Sequence, residues 1–137
     1  MFIRGVILSN LTTEKYKLLS LTDLGKTNSS VVEYVSELLE LDEPTVYSIK
    51  LVLSELIING FIHGKTKEIN LDVSVDSKEK LIELLIDDGG SGFDVEHSVR
   101  EPNVESEQGR GLILVRAFSN DVTYNNVGNK VKATIRL

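Results

Sequence analysis

The segment from Asp42 to His63 constrains the fold more than any other. Asp42 suits a helix cap, Pro44 is tolerated in a first turn, and Gly64 is a stop, so the segment reads as one helix. On a helical wheel Val46, Ile49, Leu51, Val52, Leu53, Leu56, Ile57, Ile58 and Phe61 point in nearly every direction. A helix that is apolar all round normally belongs inside a core. Yet Glu55, Asn59 and His63 recur at i, i+4 spacing and stack along one stripe. Leaving a carboxylate or an amide unpaired beside a core is costly. Something polar must therefore meet the stripe: an internal hydrogen-bond network, a wet edge of the core, or a ligand.

The remaining pattern suggests what surrounds that helix. Ser30-Val31-Val32-Glu33 fits a capping box, and Val32, Val35, Leu38 and Leu39 follow at helical spacing, which predicts a helix over 30–40. Ile69, Leu71, Val73 and Val75 alternate with polar residues as in a half-buried strand. After a polar turn at 76–80, residues 81–87 read as its antiparallel partner. Short apolar runs suggest strands at Phe2–Leu8 and Tyr16–Leu24. Leu112–Phe118 reads as a short helix starting directly after a glycine pair. Residues 121–126 and 130–137 read as a hairpin turning at Gly128-Asn129, with Val131, Ala133, Ile135 and Leu137 on one face. This order predicts an α+β two-layer sandwich, with helices on one face of a mixed, mostly antiparallel sheet.

Composition narrows the chemistry. A chain of 137 residues fits one domain, 1–137. It has no cysteine, which excludes disulfides, thiolate metal sites and a cysteine nucleophile. The net charge of −6 argues against a nucleic-acid partner, whose affinity comes mostly from Lys and Arg. No stretch reads as a membrane span and the N-terminus shows no cleavage signal, so the expected setting is cytoplasmic, without a membrane partner.

Two glycine-rich segments complete the pattern. Asp87-Asp88-Gly89-Gly90-Ser91-Gly92 follows a strand. The period of two carries Asp88 to the inner face and Asp87 to the outer one. Glycines after an inward carboxylate let backbone approach a ligand, although Asp-Gly and Gly-Gly also mark ordinary turns. Gly109-Arg110-Gly111-Leu112 precedes the expected helix, where free N–H groups can receive an anion. The stretch from Asp88 to Gly111 holds five of the ten glycines and is the longest without periodicity.

Taken in order, these motifs resemble the GHKL family of ATP-binding domains, and most closely its anti-sigma factor and serine-protein kinase branch. Glu55-Leu56-Ile57-Ile58-Asn59-Gly60-Phe61-Ile62-His63-Gly64 is similar to the N-box, Asp88-x-Gly90-x-Gly92 to the first glycine box, and Gly109-x-Gly111-Leu112 to the second. The resemblance spans roughly residues 14 to 137. It implies ATP and Mg²⁺ as ligands, with Asn59 holding the metal and Glu55 as general base. It implies that Asp88 accepts a hydrogen bond from the adenine amino group and that Gly90 and Gly92 pass the base and ribose. Gly109, Gly111 and the N–H of Leu112 would cradle phosphates, and His63 would line the phosphate end. The family's last-strand Gly-Thr pair falls at Lys132-Ala133 or Ala133-Thr134.

The implied activity is phosphorylation of a serine on a small antagonist protein and sequestration of a sigma factor, in a homodimer. A second expectation is a nucleotide-binding regulatory module that acts through protein contacts with little or no catalysis. It is motivated by Glu96, Glu101, Glu105 and Glu107, which face only Arg100 in the 95–108 segment. A full histidine kinase would add a phosphoacceptor hairpin before residue 30, and a gyrase- or chaperone-type ATPase would add a further domain. Neither is expected from this sequence.

Overall fold

The long helix forms as its signals require. In the computed structural model, which describes residues 10–64, 66–89, 107–125 and 129–137, α2 spans Glu43–Ile62. Asp42 sits outside it in an extended conformation and accepts a hydrogen bond from the Thr45 N–H at 2.9 Å. Pro44 lies in the first turn, where no intrahelical donor is needed. At the other end the N–H groups of His63 and Gly64 both donate to the Asn59 carbonyl, at 2.8 and 3.2 Å. By length and composition alone α2 is long and apolar enough to cross a membrane, which the sequence reading did not expect of any stretch. Here Ile49, Val52, Leu53, Leu56 and Ile57 are instead buried in the protein core.

They pack against a sheet of five strands, β1 (Leu11–Leu18), β2 (Ile69–Asp76), β3 (Leu81–Asp87), β4 (Asp121–Tyr124) and β5 (Lys130–Arg136). The spatial order is β1-β2-β3-β5-β4. Among the described residues all four pairings are antiparallel. Ile69, Leu71, Val73 and Val75 of β2, Ile82, Leu84 and Ile86 of β3, and Val131, Ala133 and Ile135 of β5 are buried. Alternation is what lets one face of each strand meet the helices. The other face is polar, with exposed ion pairs such as Lys15–Asp72 and Lys132–Glu83 across neighbouring strands. Pairs so exposed contribute little stability each.

Three elements depart from the sequence reading. The expected strand at Phe2–Leu8 lies outside the described residues. The one expected at Tyr16–Leu24 is displaced: β1 ends at Leu18, and a 3-10 turn at Leu21–Asp23 leads into α1, Leu24–Ser36. Among the described strands β1 lies at the edge, and its inward residues near its end, Tyr16 and Leu18, carry its packing. A run of apolar residues was therefore the wrong signal for it.

The helix expected over 30–40 is α1, starting six residues earlier and ending at Ser36. Its buried residues Thr27, Val31 and Val35 recur every four positions, so the core stripe begins before the Ser30 box, which ends up inside the helix. The Asp23 carboxylate accepts from the Leu19 N–H and makes no cap bond to α1. Finally, α3 runs from Glu107 to Phe118, not from Leu112. Burial of Leu112 and Val115 holds it down. Gly109 and Gly111 thus lie inside α3, each at a helix-propensity cost of about 1 kcal/mol.

Candidate functional site

The polar stripe of α2 meets two neighbours. At its C-terminal end it meets the residue that follows β3. Asp88 continues the inward phase of Ile82, Leu84 and Ile86 and is only 8% exposed, while Asp87 turns outward to Lys130 at 3.8 Å. The Asp87 carboxylate also accepts from the Gly89 N–H at 2.9 Å, and Gly89 turns the chain away with φ of +66°. Asp88 donates its own N–H to the Asn129 carbonyl at 3.0 Å, tying it to the start of β5.

Its carboxylate reaches α2 because two glycines are there. A Cβ on Gly64 would lie 2.6 Å from Asp88 Oδ2 and 2.5 Å from the Gly60 carbonyl oxygen. A Cβ on Gly60 would lie 3.3 Å from Asp88 Cβ. The two are one helical turn apart, which makes a shallow seat for an aspartate side chain. Sequence reasoning treated Gly64 only as a helix stop and gave Gly60 no role. The visible signal was their i, i+4 spacing beside the Glu55–Asn59 stripe.

Further along the stripe, α2 meets α3. Asn59 is 8% exposed, and its Nδ2 has no hydrogen-bond partner among the described residues. A buried donor left unmade costs roughly 1–3 kcal/mol, so this atom is a place where the fold gives up stability. Glu55 is half-buried one turn earlier. Gly111 packs over both: a Cβ there would lie 2.7 Å from Glu55 Oε2 and 3.5 Å from Asn59 Nδ2. His63 is the half-buried C-cap of α2.

Among the described residues α3 begins at Glu107, and a helix leaves the N–H groups of its first four residues without intrahelical partners. Gly109 lies in the first described turn of α3, Gly111 and Leu112 follow it, and the Leu112 side chain is in the core. In this conformation Gly111 is a close-packing residue. Gly90 and Gly92 lie outside the described residues, as does the 95–106 part of the acidic segment.

Between α2 and the sheet lies a cavity of about 20 Å³, with Leu56, Gly60, Ile86, Asp88, Tyr124 and Val131 in its walls. That is room for about one water. Sites for small-molecule ligands measure roughly 300–1,000 Å³, so the walls must part to admit one. The β5 residue at this cavity is Val131, one inward position before Ala133. Tyr124 of β4 stands opposite Val131 and was missed altogether. Its β4 is only four residues long, too short for a periodicity signal. Burial pushes the Tyr124 phenol up to about 12, against the opposing pull of the Arg116 charge.

Among the described residues, an antiparallel sheet carrying three helices on one face, with carboxylate, amide and glycines meeting between the layers, defines an α+β sandwich domain with a polar interlayer site. The chain belongs to the histidine kinase-like ATPase domain family, whose model matches residues 19–135. No curated protein matches the chain.

Proposed function

We propose that this domain binds Mg²⁺ and ATP between α2 and the sheet and transfers the terminal phosphate to a serine of a small antagonist protein, sequestering a sigma factor when that antagonist is absent. The observation that carries this reading is the convergence on α2 of Glu55 and the buried, unmade amide of Asn59, with Asp88 seated on Gly60 and Gly64. Membership of the ATPase-domain family supports the nucleotide. The residues suit the ligands. An amide oxygen is a hard donor, and Mg²⁺ takes few protein ligands alongside waters and phosphates. Among the described residues no three acidic or histidine side chains converge, so Asn59 would hold the cation together with the nucleotide.

When bound, the cation would neutralise charge building on the phosphate oxygens. Glu55 would take the proton of the attacking serine hydroxyl as its oxygen bonds to the γ-phosphorus. The bond from that phosphorus to the β-phosphate oxygen would break, releasing ADP. Asp88 would accept from the amino group of the base. Gly109 would offer a free helix-start N–H to the phosphates, and His63, Gly111 and Leu112 would border the same end. We place the protein in the cytoplasm as a homodimer, with the antagonist and the sigma factor as partners.

A second reading is a nucleotide-responsive module that acts through protein contacts without phosphate transfer. It is favoured by the closeness of Gly111 to Glu55, which leaves an attacking hydroxyl little room. Calorimetric titration with ATP and ADP, with and without Mg²⁺, tests the shared part. Binding that needs Mg²⁺ and is abolished by Asp88→Asn supports it, and no binding at millimolar nucleotide overturns it. Phosphate transfer to a serine protein encoded beside this chain, lost in Glu55→Gln, separates the kinase from the module.

A further inference from the structure

Where β4 gives way to β5, a knot of hydrogen bonds lies outside the three sequence motifs and is tied to Asp88. Asn125 follows β4, and Asn129 and Lys130 lead into β5. Asn125 Oδ1 accepts from the Asn129 N–H at 3.0 Å and from the Lys130 N–H at 3.1 Å. The Asn125 N–H donates to the Lys130 carbonyl at 3.0 Å, and its Nδ2 donates to Asn129 Oδ1. The Asn129 carbonyl in turn accepts the Asp88 N–H at 3.0 Å. We propose that Asn125 is a positioning residue for Asp88, aiming its carboxylate at the exocyclic amine of the base through Asn129 and without touching the nucleotide. This rests on the reading of the site as an ATP site and goes beyond it by naming the residue that sets the aim of Asp88.

The way the sheet ends gives Asn125 this task. The β3–β5 register stops with Asp87 opposite Lys130. The bond from Asp88 to Asn129 is one rung further, and Gly89 then turns the chain away. The Gly60–Gly64 seat bounds the carboxylate from the α2 side, whereas the Asn129 carbonyl fixes the backbone from which it hangs. Asp87 and Lys130 also meet at 3.8 Å, but both side chains are partly exposed, and such a pair contributes little. The Asn125 oxygen commits both of its lone pairs to the 129–130 backbone, and its nitrogen holds the Asn129 side chain. A group that reads a ligand has to be held to within about 0.5 Å, by neighbours whose own geometry hydrogen bonds have fixed. Among the described residues Asn129 lies in the cavity wall and Asn125 does not. Asn125 is exposed, so its side chain serves this network and not the core.

Misaiming Asp88 would cost one contact and leave the rest of the nucleotide bound. Purine riboside triphosphate, which carries hydrogen in place of the exocyclic amine, isolates that contact. A hydrogen bond to a charged group is among the stronger kinds, so its loss is measurable. Removing the Asn125 amide should therefore erase the preference for the amine and leave the affinity for the purine probe as it was. A merely structural asparagine would lower both affinities together.

The test uses the full chain, the variants Asn125→Ala and Asn125→Asp, and two probes with Mg²⁺: ATP and purine riboside triphosphate. Wild type should bind ATP roughly tenfold more tightly than the purine probe, as for one lost hydrogen bond. In Asn125→Ala that preference should vanish, with ATP weakened to the level of the purine probe and the probe unchanged. Asn125→Asp keeps an oxygen where both N–H groups donate, and should keep the preference. Without nucleotide, the Asp88 amide hydrogen should exchange roughly tenfold faster in Asn125→Ala than in wild type, with the amides of β2 unchanged. Equal weakening of both probes in the alanine variant, an undiminished preference there, or unaltered exchange at Asp88 overturns the proposal. So does a loss in Asn125→Asp as complete as in Asn125→Ala. If Asn125→Ala does not fold, Asn125→Ser, too short to reach both N–H groups, takes its place under the same criteria. If wild type binds both probes alike, this inference falls and the nucleotide site stands. If wild type binds neither, the ATP reading itself falls, and this inference with it.

Discussion

Two glycines, Gly64 and Gly111, each bring backbone up to a carboxylate, and the surroundings of the two approaches differ. At Gly64 an added methyl would meet Asp88 Oδ2 at 2.6 Å and the Gly60 carbonyl at 2.5 Å. One obstacle is backbone. The other is a short, buried side chain whose own N–H is tied to Asn129. At Gly111 the obstacle is Glu55 Oε2 at 2.7 Å, the far end of a longer, half-buried side chain. Similar distances thus describe a fixed wall at Asp88 and a movable one at Glu55. The Asp88 end is built by strand pairing and helix termination, so its geometry is part of the fold. The Glu55 end is built by one helix resting on another, so it can change without unfolding anything.

The largest expected effect comes from forcing the fixed wall. Gly64→Ala should destabilise the domain by about 3 kcal/mol, the upper range for overpacking against groups that cannot yield. Urea denaturation reads this directly. A variant as stable as wild type would mean that the α2 terminus relaxes freely, and the contrast between the two ends would be lost.

The same change at the movable wall should behave oppositely. Gly111→Ala gains up to about 1 kcal/mol of helix propensity, and Glu55 can swing aside to accommodate the methyl. Stability should hold or rise slightly, while any phosphate transfer that needs Glu55 in place falls steeply. Asn59→Leu sharpens the point. Replacing a buried, unmade amide by an apolar group of similar size should leave stability unchanged or raise it by about 1 kcal/mol. Magnesium-dependent nucleotide binding should disappear with it. A clear loss of stability would instead mark Asn59 as a structural residue.

The contrast also explains what was legible in the sequence. Features written in local periodicity could be read: the cap at Asp42, the alternation of β2 and β3, the inward phase of Asp88, and the Glu55–Asn59 stripe. Features set by long-range packing could not. β1 shows little apolar pattern because only Tyr16 and Leu18, near its end, pack against the core. α1 begins where the Thr27–Val31–Val35 stripe meets α2, upstream of a capping signal that was locally plausible. The start of α3 was misplaced because Gly-x-Gly argues against a helix locally, whereas burial of Leu112 and Val115 favours it. Tyr124 was invisible for the same reason: its place beside Asp88 exists only once β4 pairs with β5. Nothing within four residues of chain shows that.

The smallest effect should come from the far end of α2, away from both walls. Asp42 accepts from Thr45, and that hydrogen bond lowers its carboxyl below its ordinary value of 3.8. A carboxyl whose value is lowered on folding contributes stability that is present above the unfolded value and is lost as pH falls through the folded one. Asparagine caps about as well as aspartate but carries no charge. Asp42→Asn should therefore differ little from wild type at pH 7. Below about pH 4 the variant should lose less stability than wild type, because one titrating contribution is gone. Nucleotide affinity should be unaffected, since the cap lies nearly five turns of helix from Asn59. Thermal melts from pH 7 down to 3 would show the two curves coinciding near neutrality and separating in acid, with wild type falling further. If Asp42→Asn instead weakened nucleotide binding, α2 would be transmitting strain along its length, and the independence of its two ends, on which the contrast between the walls depends, would have to be given up.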